Sequence, residues 1–138
     1  MADENKMHLK VIAPERIFFE GDVDMIEFRT TEGFRGVYPG HVAETCIVAP
    51  GEFKIHMNGE EKVAALHSGF LEIQPGEVSV LAEVIEWPEE IDIQRAERAK
   101  QRAERQIARY GSSMNLMRAE LALQRSLLRL RMSNKDDK

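Results

Sequence analysis

Disulfide bonds are the first thing this chain of 138 residues does without: Cys46 is its one cysteine, so no intrachain bridge can staple the fold. It sits in the apolar run Thr45-Cys46-Ile47-Val48, where a thiol reads as a small buried hydrophobe and not as a nucleophile. No stretch approaches the ~18 apolar residues of a spanning helix. The start, Met-Ala-Asp-Glu-Asn-Lys, has no apolar secretory core and is too acidic for a transit peptide, so the expectation is a soluble chain on the cytoplasmic side. Gly-Lys-Ser/Thr is absent, which excludes a phosphate loop of that type. Proline is missing after Pro88, and glycine survives there only as Gly111. That last absence divides the chain.

The charge divides with it. Residues 1–90 hold 7 Lys+Arg against 18 Asp+Glu, a net of −11, whereas residues 91–138 hold 12 against 6, a net of +6. We therefore expect two domains, 1–87 and 88–138, one acidic and one basic, and an adaptor with a movable arm more than a single-pocket enzyme.

Before Pro88 the pattern is that of short strands. Segments 8–12, 17–19, 23–28, 53–57, 62–66, 69–73 and 78–84 are apolar with alternation, and turns are expected at Glu20-Gly21-Asp22, Asn58-Gly59 and Pro75-Gly76. Asn58-Gly59 is the strongest hairpin signal. Gly33, Gly36, Pro39 and Gly40 read as a tight loop and strand crossing. Eight or more strands with no helix between them give an antiparallel sandwich or flattened barrel.

After Pro88 the period becomes helical and predicts two helices of about 18 residues, each about 27 Å long. Pro88 with Glu89, Glu90 and Asp92 reads as a helix start, Gly111 as a stop, and Ser112 or Ser113 as the next cap. Ala96, Ala99, Ala103 and Ile107 form a small-residue seam; Leu116, Ala119, Leu123, Leu127 and Leu130 form a stripe to face it. An antiparallel two-helix hairpin follows, making the fold α+β.

Two constellations carry the chemistry. Arginines 95, 98, 102, 105 and 109 share one face of the first helix, about 125° from the alanine seam, and Arg118, Arg125 and Arg129 share a face of the second. They serve as solvated faces balanced by Glu97, Glu104 and Glu120, as a basic surface for an acidic protein, or as an anion site where bidentate forks meet phosphate or carboxylate. Nucleic acid is disfavoured, since the acidic domain repels a polyanion and no aromatics interleave with the arginines. The second constellation runs from Thr31 to His41. Exposed aromatic and polar groups on a Gly-shaped loop suit a protein contact, whereas a Glu32–His41 acid/base pair would suit a hydrolase. His8, His41, His56 and His67 lie too far apart in sequence to form a metal motif, and no metal is expected.

These residues resemble the epsilon subunit of F-type ATP synthases over nearly the whole chain. The resemblance rests on Ala13-Pro14-Glu15 with Phe19-Glu20-Gly21-Asp22-Val23, and on Thr31-Glu32-Gly33-x-x-Gly36-Val37-x-Pro39-Gly40-His41. It extends through Gly69-Phe70-Leu71-Glu72, Ile91-Asp92-x-x-Arg95-Ala96 and Arg118-Ala119-Glu120-Leu121-Ala122-Leu123. Where that family often has H-x-P-L, this chain has His41-Val42-Ala43-Glu44.

The resemblance implies an N-terminal β-sandwich of about ten strands, followed by the hairpin. It implies a rotor subunit of the central stalk that binds gamma and the c-ring through residues including Thr31, Glu32, Tyr38 and His41. It also implies a peripheral place on the cytoplasmic face of the cell membrane. The extended hairpin would meet the catalytic alpha and beta subunits and hinder hydrolysis. ATP-binding members imply a site of Glu86, Asp92, Arg95, Arg102, Arg125 and Arg129, with ATP as a regulatory ligand and no cofactor required. The rival reading is a free-standing nucleotide-sensing or protein-binding adaptor.

Overall fold

The computed structural model describes residues 5–109 and 114–136, and the chain divides into two compact units, Met1–Glu86 and Trp87–Lys138. The first is all β. Its strands are β1 (Met7–Ala13), β2 (Arg16–Val23), β3 (Met25–Thr30), β4 (Gly33–Val37), β5 (Glu44–Ile47), β6 (Gly51–Met57), β7 (Glu60–Gln74) and β8 (Glu77–Glu86). They pair in the order β2-β1-β8-β7-β6-β3-β4, with β5 also on β7. Every pairing is antiparallel except β1 with β8, the first and last strands of the unit, which run parallel. Alternation along a strand reports which face is buried, not which way its neighbour runs, so that exception was invisible in the sequence.

Inward positions alternate as the pleat requires: Met7, Leu9 and Val11 on β1, Ile26 and Phe28 on β3, Phe53 and Ile55 on β6, Leu71 and Ile73 on β7, Val78 and Val80 on β8. Phe28 and Phe53 are the largest side chains with no exposure. Asn58 and Gly59 take positive φ, 53° and 81°, and close the β6–β7 hairpin as the sequence predicts.

The described residues form eight strands, fewer than the expected ten or so, for a local reason. The two segments expected at 62–66 and 69–73 are one fifteen-residue strand, β7. A bulge near His67 bends it, so its first half pairs with β6 and its second with β5. Gly69 permits the bend: its φ is +148°, and a Cβ there would lie 2.3 Å from the Leu81 carbonyl oxygen. The turn expected at Glu20-Gly21-Asp22 is also absent, because these residues stay paired with β1 and the chain breaks at Asp24 instead. Conversely, Gly33–Val37, read as loop, is a strand paired with β3.

In the second unit, Pro88–Glu90 is a single 3-10 turn in which the Trp87 N–H donates to the Glu90 carboxylate at 2.9 Å. Helix α1 (Ile93–Arg109) therefore starts later than Pro88. Ile91 is extended and buried, and Asp92 caps the helix by accepting from the Arg95 N–H at 3.1 Å. Helix α2 spans Met114–Asp136 and packs on α1 and on the turn. The expected stop at Gly111 and caps at Ser112 or Ser113 lie outside the described residues.

The interhelical seam is lined by small residues on both sides. Ala96 and Ala103 are buried on α1; Ala119, Ser126 and Ser133, seven apart, are buried on α2, joined by Leu128 and Met132. The expected leucine stripe is corrected in part. Leu127 is 45% exposed and Leu116, Leu123 and Leu130 are half-buried. Small side chains on both helices favour a close approach of their backbones, with Leu128 and Met132 filling the remaining space.

Candidate functional sites

The helical arginines are placed by the 3.6-residue period. Arg95, Arg98, Arg102, Arg105 and Arg109 are all exposed on α1, away from the buried alanines, as is Arg118 on α2. Arg125 and Arg129 differ: both are half-buried, one turn apart. The Arg125 Nε is enclosed and has no hydrogen-bond partner among the described residues. A guanidinium N–H withdrawn from water without an acceptor is costly, and an anion laid against it removes the cost.

Asp92 belongs to the same unit but serves as the α1 cap. Glu86 ends β8 in the other unit, and its Oε1 lies 3.1 Å from Nε2 of the fully buried His67. Thus Asp92 and Arg95 meet through a backbone bond, Arg125 and Arg129 share a helix face, Arg102 stands two turns along α1 from Arg95, and Glu86 is engaged within the β unit.

The second site lies along residues 30–47. Thr31 and Glu32 are exposed in the β3–β4 turn, which Thr30 holds: its hydroxyl donates to the Gly33 carbonyl at 3.0 Å and accepts from the Glu32 N–H at 3.1 Å. Tyr38 is 62% exposed, and Phe34, Val42 and Ile47 are more so, an unusual concentration of large apolar groups in water. His41 is not paired with Glu32. Its Nδ1 lies 2.7 Å from the Val42 carbonyl oxygen, and its Nε2 is 3.4 Å from Arg35 and 3.9 Å from Glu44.

Sequence reasoning missed the centre of this segment. Arg35 grips Glu44 with both terminal nitrogens, one bond measuring 2.9 Å, and also reaches the Cys46 sulfur at 2.9 Å. The Arg35 guanidinium, with a smaller effect from the Cys46 thiol, holds the Glu44 carboxyl down at about 2. Burial pushes the Cys46 thiol up, which fits a packed side chain and not a nucleophile. Glu44 falls where the resembling family often has another residue, and that departure was the available signal.

Two family models match in tandem. The ATP synthase delta/epsilon chain beta-sandwich domain covers residues 6–88, and the long alpha-helix domain of the same chain covers residues 89–134. The chain belongs to the ATP synthase delta/epsilon family. Among curated relatives, the ATP synthase epsilon chain of Caldanaerobacter subterraneus subsp. tengcongensis is 40% identical over 96% of both chains. That of Clostridium novyi is 42% identical over 90% of this chain and 95% of its own. A chain in the Euglena gracilis mitochondrial ATP synthase structure (OSCP, F1 and c-ring) superposes with a TM-score of 0.76 at 23% identity, over 87% of this chain and 76% of that one. One in the central stalk and c-ring of the Tetrahymena thermophila enzyme gives 0.56 at 16%, over 98% of each. At those identities the structures show a shared fold. No described helix of this family member is long and apolar enough to cross a membrane.

Proposed function

We propose that this chain is the epsilon subunit of the central stalk in an F-type ATP synthase, a non-catalytic rotor component whose β unit couples gamma to the c-ring. The observation that carries this reading is the tandem match of both delta/epsilon-chain domains, in order, over residues 6–134. The exposed Phe34, Tyr38, Val42 and Ile47, with Thr31, Glu32 and His41 beside them in sequence, supply the apolar and polar groups for such contacts. The subunit sits peripherally, on the cytoplasmic side of the membrane, held there by its partners.

The helical unit is the regulator in this reading. Extended toward the catalytic alpha and beta subunits, its arginines hinder ATP hydrolysis; folded, they permit turnover. ATP is the ligand that favours the folded state, its phosphates meeting Arg95, Arg102, Arg125 and Arg129 beside Asp92. Support comes from the unpartnered Arg125 Nε and the half-burial of Arg125 and Arg129. A ligand at 100-fold excess over its Kd stabilises the state it binds by about 2.7 kcal/mol.

Titrating the full chain with ATP by calorimetry, beside the Arg95→Ala, Arg125→Ala double variant, tests the site. Saturable one-to-one binding that the variant loses is expected, and no saturation at millimolar ATP removes the ATP-sensing reading. The stalk assignment is tested separately by co-purification with gamma.

A further inference from the structure

The four histidines lie far apart in sequence, but sheet register removes that distance for one of them. Strands β3, β6 and β7 are neighbours, and pairing sets His56 of β6 opposite Met25 on one side and Glu61 on the other. Glu27 stands two residues beyond Met25, so alternation puts Glu27, His56 and Glu61 on one face while Ile26 and Ile55 point into the core. The donors converge there. His56 Nε2 is 2.7 Å from Glu27 Oε2 and 3.7 Å from Glu61 Oε2, and one donor from each residue lies within 4.8 Å of the others. A tetrahedral zinc ion with bonds of about 2.0–2.2 Å spaces its ligand atoms about 3.3–3.6 Å apart, between those two distances.

Both carboxylates address the same ring nitrogen, and this singles out the cluster. His8 also has two acidic partners, but Asp22 lies 3.1 Å from its Nδ1 and Glu20 lies 2.9 Å from its Nε2. Imidazole nitrogens diverge, so those three groups cannot surround one ion. The neighbouring charges have partners of their own, and Asp24 also lies close enough to His56 to act on it electrostatically. Lys54, opposite Glu27, lies 3.8 Å from Glu52; Arg35, which shares a groove with Glu27, holds Glu44; Asp24, just before β3, pairs with Lys6 at 2.9 Å. All three donor side chains are partly open to solvent, so an ion has an entry path.

We propose that Glu27, His56 and Glu61 bind a divalent transition ion of the zinc class, clasping β3, β6 and β7 on their outer face and leaving a coordination position for water. One imidazole with two carboxylates suits zinc better than the all-oxygen cations calcium and magnesium.

Calorimetric titration of the full chain with zinc chloride near neutral pH tests the site, with circular dichroism confirming that each metal-free variant is folded. One ion per chain is expected. Affinity should drop at least about tenfold in His56→Ala and in Glu61→Gln, and stay unchanged in His8→Ala. Zinc should also shift the His56 ring resonances in NMR spectra. The proposal is overturned by no saturable binding, by full affinity in either cluster variant, or by a loss in His8→Ala.

Discussion

Arg35 and Glu44 set how one corner of the β unit responds to acid. Glu44 titrates ordinarily near 4.5 and is held at about 2 by its Arg35 hydrogen bonds, so its contribution to stability is present above pH 4.5 and lost as pH falls toward 2. The stability difference between the native chain and Glu44→Gln, read from urea midpoints, should therefore be constant above pH 4.5 and close between 4.5 and 2. His8 has the opposite sign. Its hydrogen bonds to Glu20 and then Asp22 raise its pKa above 6.5, so the stabilisation is fully present below that value and disappears as pH rises through the folded one. Gly69 is the residue where shape allows nothing else. With its absent Cβ position 2.3 Å from the Leu81 carbonyl oxygen, Gly69→Ala must move backbone, and a loss of at least about 1–3 kcal/mol is expected in urea unfolding.

At the scale of elements, the hairpin depends on small side chains staying small. Ala103 is buried at the seam, so Ala103→Leu should force the axes apart at a cost of about 1–3 kcal/mol, read as a lower thermal midpoint of the full chain. The seam on α1 was legible because an alanine face is a direct sequence pattern. Its partner was read only in part: Ala119 of the expected stripe is buried, but leucine normally marks the buried face, and Ser126 and Ser133, polar by type, share that place with it. Strands were legible where alternation was clean, as in β6 and β8, and at Asn58-Gly59. They were not where one strand serves two partners across a bulge, as β7 does, or where glycines mimic a loop, as in β4. The arginine faces followed from spacing alone. The Glu27, His56 and Glu61 cluster could not, since cross-strand register is what assembles it.

For the whole molecule, the consequence of two units is partial independence. The β unit buries its own core from Met7 to Ile85. Removing residues 89–138 should leave a cooperatively folding β domain, seen as an unchanged strand signal in circular dichroism and a single urea transition. In the assembled enzyme the same deletion should relieve restraint on ATP hydrolysis; unchanged hydrolysis would mean the helices do not regulate it. The parallel pairing of β1 with β8 bears on how this unit is made. His8 meets Glu77 in that pairing, and everything between them must be synthesised first. At the ~5–20 residues per second of translation, β1 waits about 3–14 s with only β2 to pair with. The local hairpins of the β unit can therefore pair before β8 is made, and the β1–β8 pairing joins them last.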